Sequence, residues 1–303
     1  MRVVVFGANG YLGRHLVLAA SRRGDDVLAT DNHPRSRDAW PNYLPLDVTD
    51  AGSWDQLDTA VDAIFFFAGL SGPLASCERP QEFVAVNESG LLGLLNRLRR
   101  AGSRARVVFP SSRLVYRGQT GVRLTEESPK ECRSVYAATK LVAETYLQIY
   151  RHLYGLSYTV CRICVPYGNL IDLEYSFGTM GFFLRQAAAG KDVPLYGDGR
   201  QRRTFSHIED VCRQVLAASA HPEADGRVFN VGGGDHLSLL EAALRVASRF
   251  RVGVTSVPWP DADARIESGD TMFDSSALES LIGFGCVHNI EEWLSDLPLG
   301  SAA

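Results

Sequence analysis

Short continuous apolar runs alternate with stretches of helical spacing through the first half of the chain. Residues 2–6, 27–30, 44–46, 63–67 and 107–109 read as strands, and 159–165 is rich in β-forming residues. Stretches 12–23, 80–100 and 135–154 carry apolar residues at three- and four-residue intervals and predict helices. Strands without polar alternation are covered on both faces, which predicts a parallel sheet with helices on either side, the doubly wound α/β architecture. Beyond Val165 the pattern loosens. Stretches 166–178 and 196–203 are rich in Gly, Pro and polar residues and predict ordered loops over a binding site. A further strand at 227–231, a helix at 237–250 and segments at 252–257, 275–282 and 290–294 predict a smaller α/β unit toward the C-terminus.

A length of 303 residues allows one large or two interleaved domains. The net charge of −4 offers no basic face for nucleic acid or a membrane surface, and neither partner is expected. No apolar run reaches the length of a membrane span, and the glycine-interrupted start is unlike a signal peptide, so a cytoplasmic location is expected. Cys161 and Cys164 form a C-x-x-C, but no second such pair or His pair accompanies it along the chain. Cys161 and Cys164 read as two small core residues of a strand, and no metal site is expected.

Gly7-Ala8-Asn9-Gly10-Tyr11-Leu12-Gly13 follows the first strand and opens the first helix. Free N–H groups and the positive end of the helix dipole face a phosphate there, and glycine keeps the approach open. In this context the triplet predicts a dinucleotide site in a Rossmann-type fold. Asp31 ends the second strand, 18 residues beyond Gly13, where a carboxylate accepts from a ribose diol and favours NAD. Arg35 and Arg37 keep NADP possible. Asp47 and Val48, after the third strand, suit the adenine edge or an ordinary turn equally well. On this reading residues 1–165 plus 207–233 form the dinucleotide-binding domain, and 166–206 plus 234–303 the substrate domain.

Tyr136 and Lys140 stand at i and i+4 on one helix face. A phenol titrating near 10 is a poor base at neutral pH, and a nearby cation brings it toward working range. Ser111 and Ser112 follow the fifth strand, at the sheet end that faces the ligand crevice.

Together these motifs resemble the extended short-chain dehydrogenase/reductase family, in the branch acting on nucleotide sugars. The match runs in order through Gly7, Gly10 and Gly13, then Phe67-Ala68-Gly69-Leu70, Asn87, Ser111-Ser112 with Val115-Tyr116, Tyr136 and Lys140. It continues through Arg162 to Tyr167-Gly168, Gly197-Asp198-Gly199 with Arg203 to His207 and Asp210, and Asn230-Val231-Gly232. The resemblance implies a catalytic set of Ser112, Tyr136 and Lys140, with Tyr136 as acid/base. Cofactor contacts fall on Gly7, Asn9, Gly10, Tyr11, Leu12, Gly13, Asp31, Asp47, Val48, Ala68, Gly69, Asn87, Tyr136 and Lys140. Substrate contacts fall on Ser71, Arg113, Arg203 and Arg265; guanidinium forks suit a diphosphate. The alternatives for Arg203 are a loop salt bridge to Asp198 or Asp210, and for Arg265 a solvated surface charge. A homodimer through the helices at 80–100 and 135–154 is implied by the resemblance alone.

Two positions depart from the family pattern. Leu114 stands where its dehydratases and decarboxylases keep an acid, which argues against 4,6-dehydration because leucine moves no proton. Val165 stands where Asn commonly contacts substrate. Arg113 beside Ser112 is either an added anion contact or packs away. His207 reads as structural rather than as a general base, and Tyr175, Phe177 and Phe182 line a sugar pocket or belong to the core. The expected function is an NAD(P)-dependent nucleotide-sugar epimerase acting at C4. A nucleotide-linked 4-ketoreductase is the alternative, and a reductase of a non-nucleotide carbonyl ranks below it.

Overall fold

The computed structural model describes residues 1–172 and 177–297. The chain begins β1 (Arg2–Phe6), α1 (Tyr11–Arg22), β2 (Asp26–Asp31), β3 (Tyr43–Pro45) and β4 (Ala63–Phe66). Then come α2 (Pro73–Glu78), α3 (Pro80–Val84) and α4 (Gly90–Ala101), the last two joined by a π-turn at Ala85–Ser89. Next are β5 (Arg106–Ser112), β6 (Arg123–Leu124), α5 (Val135–Tyr154), β7 (Tyr158–Ile163) and β8 (Val165–Tyr167). They are followed by α6 (Gly178–Ala188), β9 (Val193–Tyr196), β10 (Arg202–His207), α7 (Ile208–Ala220), β11 (Arg227–Val231) and β12 (Asp235–Ser238). The chain continues through α8 (Leu239–Phe250), β13 (Val254–Val257), α9 (Asp261–Ile266), β14 (Met272–Phe273), α10 (Ser276–Ile282) and α11 (Ile290–Asp296).

Seven parallel strands make the main sheet, in the order β11-β7-β5-β4-β1-β2-β3. This is the doubly wound fold expected from the apolar runs. Side chains of β1 divide between the two faces with the period of a strand. Val3 and Val5 pack with Leu16 of α1 and Val211 and Val215 of α7; Val4 and Phe6 pack with Leu91 and Leu95 of α4 and Leu147 of α5. Strand order reverses between β1 and β4, and the crevice beyond their C-terminal ends is where such sheets bind ligands.

A smaller sheet joins β8, β10 and β12, and β9 pairs with β13. A separate core under α6, α8 and α11 gathers Phe183, Val193, Leu195, Phe205, Val246 and Leu294. The chain returns from β10 to the main sheet through α7 and β11, and Leu278 of α10 packs into the core beneath α1 and α7.

Several elements differ from the sequence pattern. The helix expected over 80–100 is interrupted at the π-turn, where the Asn87 side chain is drawn out to bond Leu70. Part of the loop expected over 166–178 is strand β8, and the helix expected from Leu237 starts at Leu239, capped by the Ser238 side chain with Glu241 closing the capping box. Tyr175 lies outside the described residues. Among the described residues no helix is long and apolar enough to cross a membrane.

Candidate active site

The crevice at the strand reversal is built around the glycine loop. Gly7 has φ +76°, and a Cβ there would sit 2.6 Å from the Phe67 carbonyl oxygen; a Cβ on Gly13 would sit 2.0 Å from the Gly7 oxygen. Both are backbone collisions that no side chain can relieve. Gly10 donates its N–H to the Gly7 oxygen at 2.9 Å and caps α1 without a side chain. The first turn of α1 therefore presents N–H groups across a cradle that only glycine keeps open, and this fits a pyrophosphate.

A cavity of about 180 Å³ runs outward from the cradle, lined by Gly7, Gly10, Asp31, Asp47, Val48, Ala68 and Gly69 among others. The Asp31 carboxylate accepts the Asn9 N–H at 3.1 Å. Asn9 turns its amide away from the cavity, accepting from Arg37 N–H at 2.8 Å and donating to the Arg35 carbonyl at 3.1 Å, so it pins the 33–37 loop. Asp47 accepts from the N–H and hydroxyl of Thr49 at 2.9 and 2.7 Å, a turn residue that also lines the cavity. Asn87 is buried behind the wall. Its amide accepts from Leu70 N–H (2.8 Å) and donates to the Leu70 carbonyl and the Thr139 hydroxyl (3.1 Å each). It thus holds the 69–70 loop against α5 between Tyr136 and Lys140.

An adjoining cavity of about 150 Å³ shares Gly7, Gly10, Gly69 and Leu70 and adds Tyr11, Leu12, Gly13, Ser71, Tyr136, Lys140 and Phe177. Tyr11 stacks on Phe177 (4.6 Å between centroids) and donates its hydroxyl to the Gly168 carbonyl at 2.8 Å. Phe182 packs instead with the core under α6. One trough thus leads from Asp31 to Tyr136.

Helix α5 begins at Ser134, whose hydroxyl accepts Ala137 N–H, and the buried Ser76 hydroxyl accepts Tyr136 N–H at 2.9 Å. These two caps fix the first turn, where Tyr136 lies. The Ser112 hydroxyl accepts Leu114 N–H at 3.2 Å. Lys140 is buried, donates to the Pro110 carbonyl at 2.8 Å and lies 4.7 Å from the Phe109 ring centre. Burial pulls its ammonium down to about 8, partly opposed by Glu144. Burial also raises the Tyr136 phenol above its ordinary value, while Ser112 and Arg113 pull it down. Two cations lie near the phenol: Arg113, which lowers it, and Lys140, whose Nζ is 5.8 Å from the Tyr136 ring centre.

Arg203, which lines neither cavity, is 1% exposed. Its guanidinium donates to Glu267 at 2.5 Å and to the carbonyls of Arg202 and Gly269. Neither Asp198 nor Asp210 is its partner. Arg113 donates to the hydroxyls of Ser268 and Thr271, both at 3.3 Å, and is pulled down to about 10 by burial and by Arg203. Arg265 is exposed on α9, which has no buried residue.

Sequence reasoning missed the supports of this site. Glu144 of α5 receives both ends of the Arg162 fork at 3.0 and 2.6 Å and the Ser111 hydroxyl at 2.5 Å. Arg162 also bonds the Tyr116 hydroxyl, which donates to Asn230 at 2.7 Å. Ser111 thus ties the cavity it lines to the scaffold through Glu144. The i+4 spacing from Lys140 to Glu144 was a visible signal; Glu267 and Ser76 offered none. The expected general-base alternative for His207 has no place in this trough, since His207 lies at the start of α7 against Tyr167 and His288.

A model of the NAD dependent epimerase/dehydratase family matches residues 3–232. The chain belongs to that family. The resemblance to the extended short-chain dehydrogenase/reductases is thereby borne out. Among curated relatives, the chain is 30% identical over 289 residues to UDP-glucuronate 4-epimerase 3 of Arabidopsis thaliana, covering 82% of this chain and 66% of that protein. It thus spans just under two thirds of that plant enzyme. It is 29% identical to the UDP-glucose 4-epimerase of Mycolicibacterium smegmatis, covering 85% of each. Among solved structures, the UDP-glucose 4-epimerase of Thermus thermophilus in complex with NAD superposes with a TM-score of 0.86 at 25% identity, covering 97% of this chain and 96% of that one. DesIV, a dTDP-glucose 4,6-dehydratase from Streptomyces venezuelae, gives 0.84 at 27% identity, covering 97% and 95%.

Proposed function

We propose that this member of the NAD dependent epimerase/dehydratase family is a nucleotide-sugar 4-epimerase that works through a transient 4-ketone. The observation that carries the reading is the single trough that joins the Gly7–Gly10–Gly13 cradle to Tyr136 and Lys140. NAD fits that trough: the cradle admits a pyrophosphate, and Asp31 offers a carboxylate at the ribose end. Bound there, it would supply a reversible hydride acceptor.

The chain's own part is proton handling and seating. Tyr136 takes the proton of the C4 hydroxyl at its phenolic oxygen and returns it after the sugar has turned over. Ser112, at the end of β5, holds the same substrate oxygen. Lys140 keeps a buried donor at the Tyr136 end of the trough, for the nicotinamide ribose, and with Arg113 favours the phenolate. Ser71, Arg203 and Arg265 are the candidate contacts of the sugar diphosphate. Leu114 supplies no acid for elimination. A homodimer across α4 and α5 belongs to the same reading, supported by the exposed Ile149, Leu153 and Tyr154 on α5.

Purified protein incubated with UDP-, dTDP-, CDP- and GDP-sugars, with and without NADPH, tests the reading. Epimerisation gives isomer interconversion without net redox change; stoichiometric NADPH loss would instead identify the 4-ketoreductase. Tyr136→Phe is expected to lower kcat by about 10²- to 10⁴-fold with NAD affinity retained. Turnover undiminished in that variant would overturn the catalytic assignment.

A further inference from the structure

His207 ends β10 and precedes α7, Glu209 lies in the first turn of α7, and His288 lies just before α11. His207 is 3% exposed. The Nε2–Cδ2 edge of its ring lies against Gly168, where an added Cβ would sit 2.5 and 2.6 Å from those two atoms. The opposite vertex of the ring is Nδ1, which is buried without a hydrogen-bond partner. A buried nitrogen left in that state costs free energy and calls for an occupant.

His288 is held ready for the same occupant. The buried Asp210 carboxylate accepts the N–H of Val287 (3.1 Å), the N–H of His288 (2.9 Å) and His288 Nδ1 (3.0 Å). A carboxylate only accepts, so Nδ1 carries a proton, and in the neutral imidazole Nε2 presents its lone pair. A carboxylate behind an imidazole in this way is the usual support of a metal-bound histidine. His288 Nε2 lies 3.5 Å from Glu209 Oε2. The edge of a tetrahedron with zinc-type bonds of about 2.1 Å is about 3.4 Å. One ligand atom from each of His207, Glu209 and His288 lies within 4.8 Å of the others.

We propose that His207, Glu209 and His288 bind a divalent cation of the zinc class, with Asp210 orienting His288 and water completing the shell. Two imidazoles and one carboxylate suit a borderline cation rather than Mg²⁺ or Ca²⁺, which prefer oxygen ligands throughout. The ion ties the start of α7 to the segment before α11. It has a structural role and takes no part in hydride or proton transfer.

Calorimetric titration of EDTA-treated, dialysed protein with Zn²⁺ tests the site, with Co²⁺ visible absorption reporting the coordination geometry. Expected are one saturable Zn²⁺ per chain, a rise in Tm and tetrahedral Co²⁺ bands. His288→Ala should abolish all three, and the exposed-side variant Glu209→Gln should weaken binding by about tenfold or more. Circular dichroism of the metal-free variants establishes that they fold. Absence of saturable binding to the wild type would overturn the proposal. So would binding that neither variant alters, which would assign the cation to other groups such as the cysteines.

Discussion

Lys140 carries a burial cost that its spacing from Tyr136 does not reveal. Its ammonium is buried over Phe109 with one carbonyl acceptor, and burial lowers it from 10.5 to about 8. The unfolded chain therefore binds the extra proton more readily between those values, and stability rises with pH across that window. Below pH 8 the cost of burying the charge is present in full, of order 3 kcal/mol. The difference in unfolding free energy between wild type and Lys140→Met should climb from pH 8 to about 10.5 and stay flat below 8. Urea melts across that range measure it, and a flat difference would show that Lys140 is not desolvated. The i, i+4 spacing of Tyr136 and Lys140 made the pair legible in the sequence. The burial that raises Tyr136 and the part played by Arg113 were not, because both depend on chain far from α5. Glu267 was silent for the same reason: it meets Arg203 across 64 residues.

At the scale of elements, the strands and helix α5 were legible because each carries its own periodicity. Helix α7 also carries a helical stripe, at Ile208, Val211, Cys212, Val215 and Leu216, and that stripe packs into the core with α1. The π-turn between α3 and α4 had no such local mark; Asn87 within it bonds Leu70, 17 residues away. What joins the elements is the buried network of Glu144, Arg162, Ser111, Tyr116 and Asn230, which locks α5 to the ends of β5, β7 and β11. The side chains of Glu144 and Arg162 are 3% and 5% exposed. Glu144→Gln leaves the guanidinium buried without a counter-charge, which should cost about 3–5 kcal/mol in chemical denaturation. Adding Arg162→Leu should recover part of that loss, because the charge goes with its partner. A double variant less stable than Glu144→Gln would mean that the remaining Arg162 bonds outweigh the stranded charge.

Across the whole molecule, the main sheet and the smaller one meet at two guanidiniums and one carboxylate. Arg113 comes from the end of β5, Arg203 from β10, and Glu267 from the segment after α9. Arg203 is 2% exposed in its side chain and its bond to Glu267 is direct, so a sugar diphosphate that uses Arg203 competes with that carboxylate for the guanidinium charge. Glu267 then acts as an internal competitor: it stabilises the free enzyme and weakens the substrate complex. Glu267→Gln should lower the Tm of the free enzyme, because two buried guanidiniums lose their nearest negative charge. It should also lower KM for the nucleotide sugar while leaving kcat nearly unchanged, since ground state and transition state gain the same diphosphate contact. The rise in Tm on adding substrate should therefore be larger in the variant than in the wild type. Thermal melts with and without the nucleotide sugar, together with initial rates, separate the terms. A variant with the lower Tm but an unchanged or higher KM would show that Arg203 braces the two sheets and that the diphosphate is seated elsewhere, with the exposed Arg265 and Ser71 as the remaining candidates.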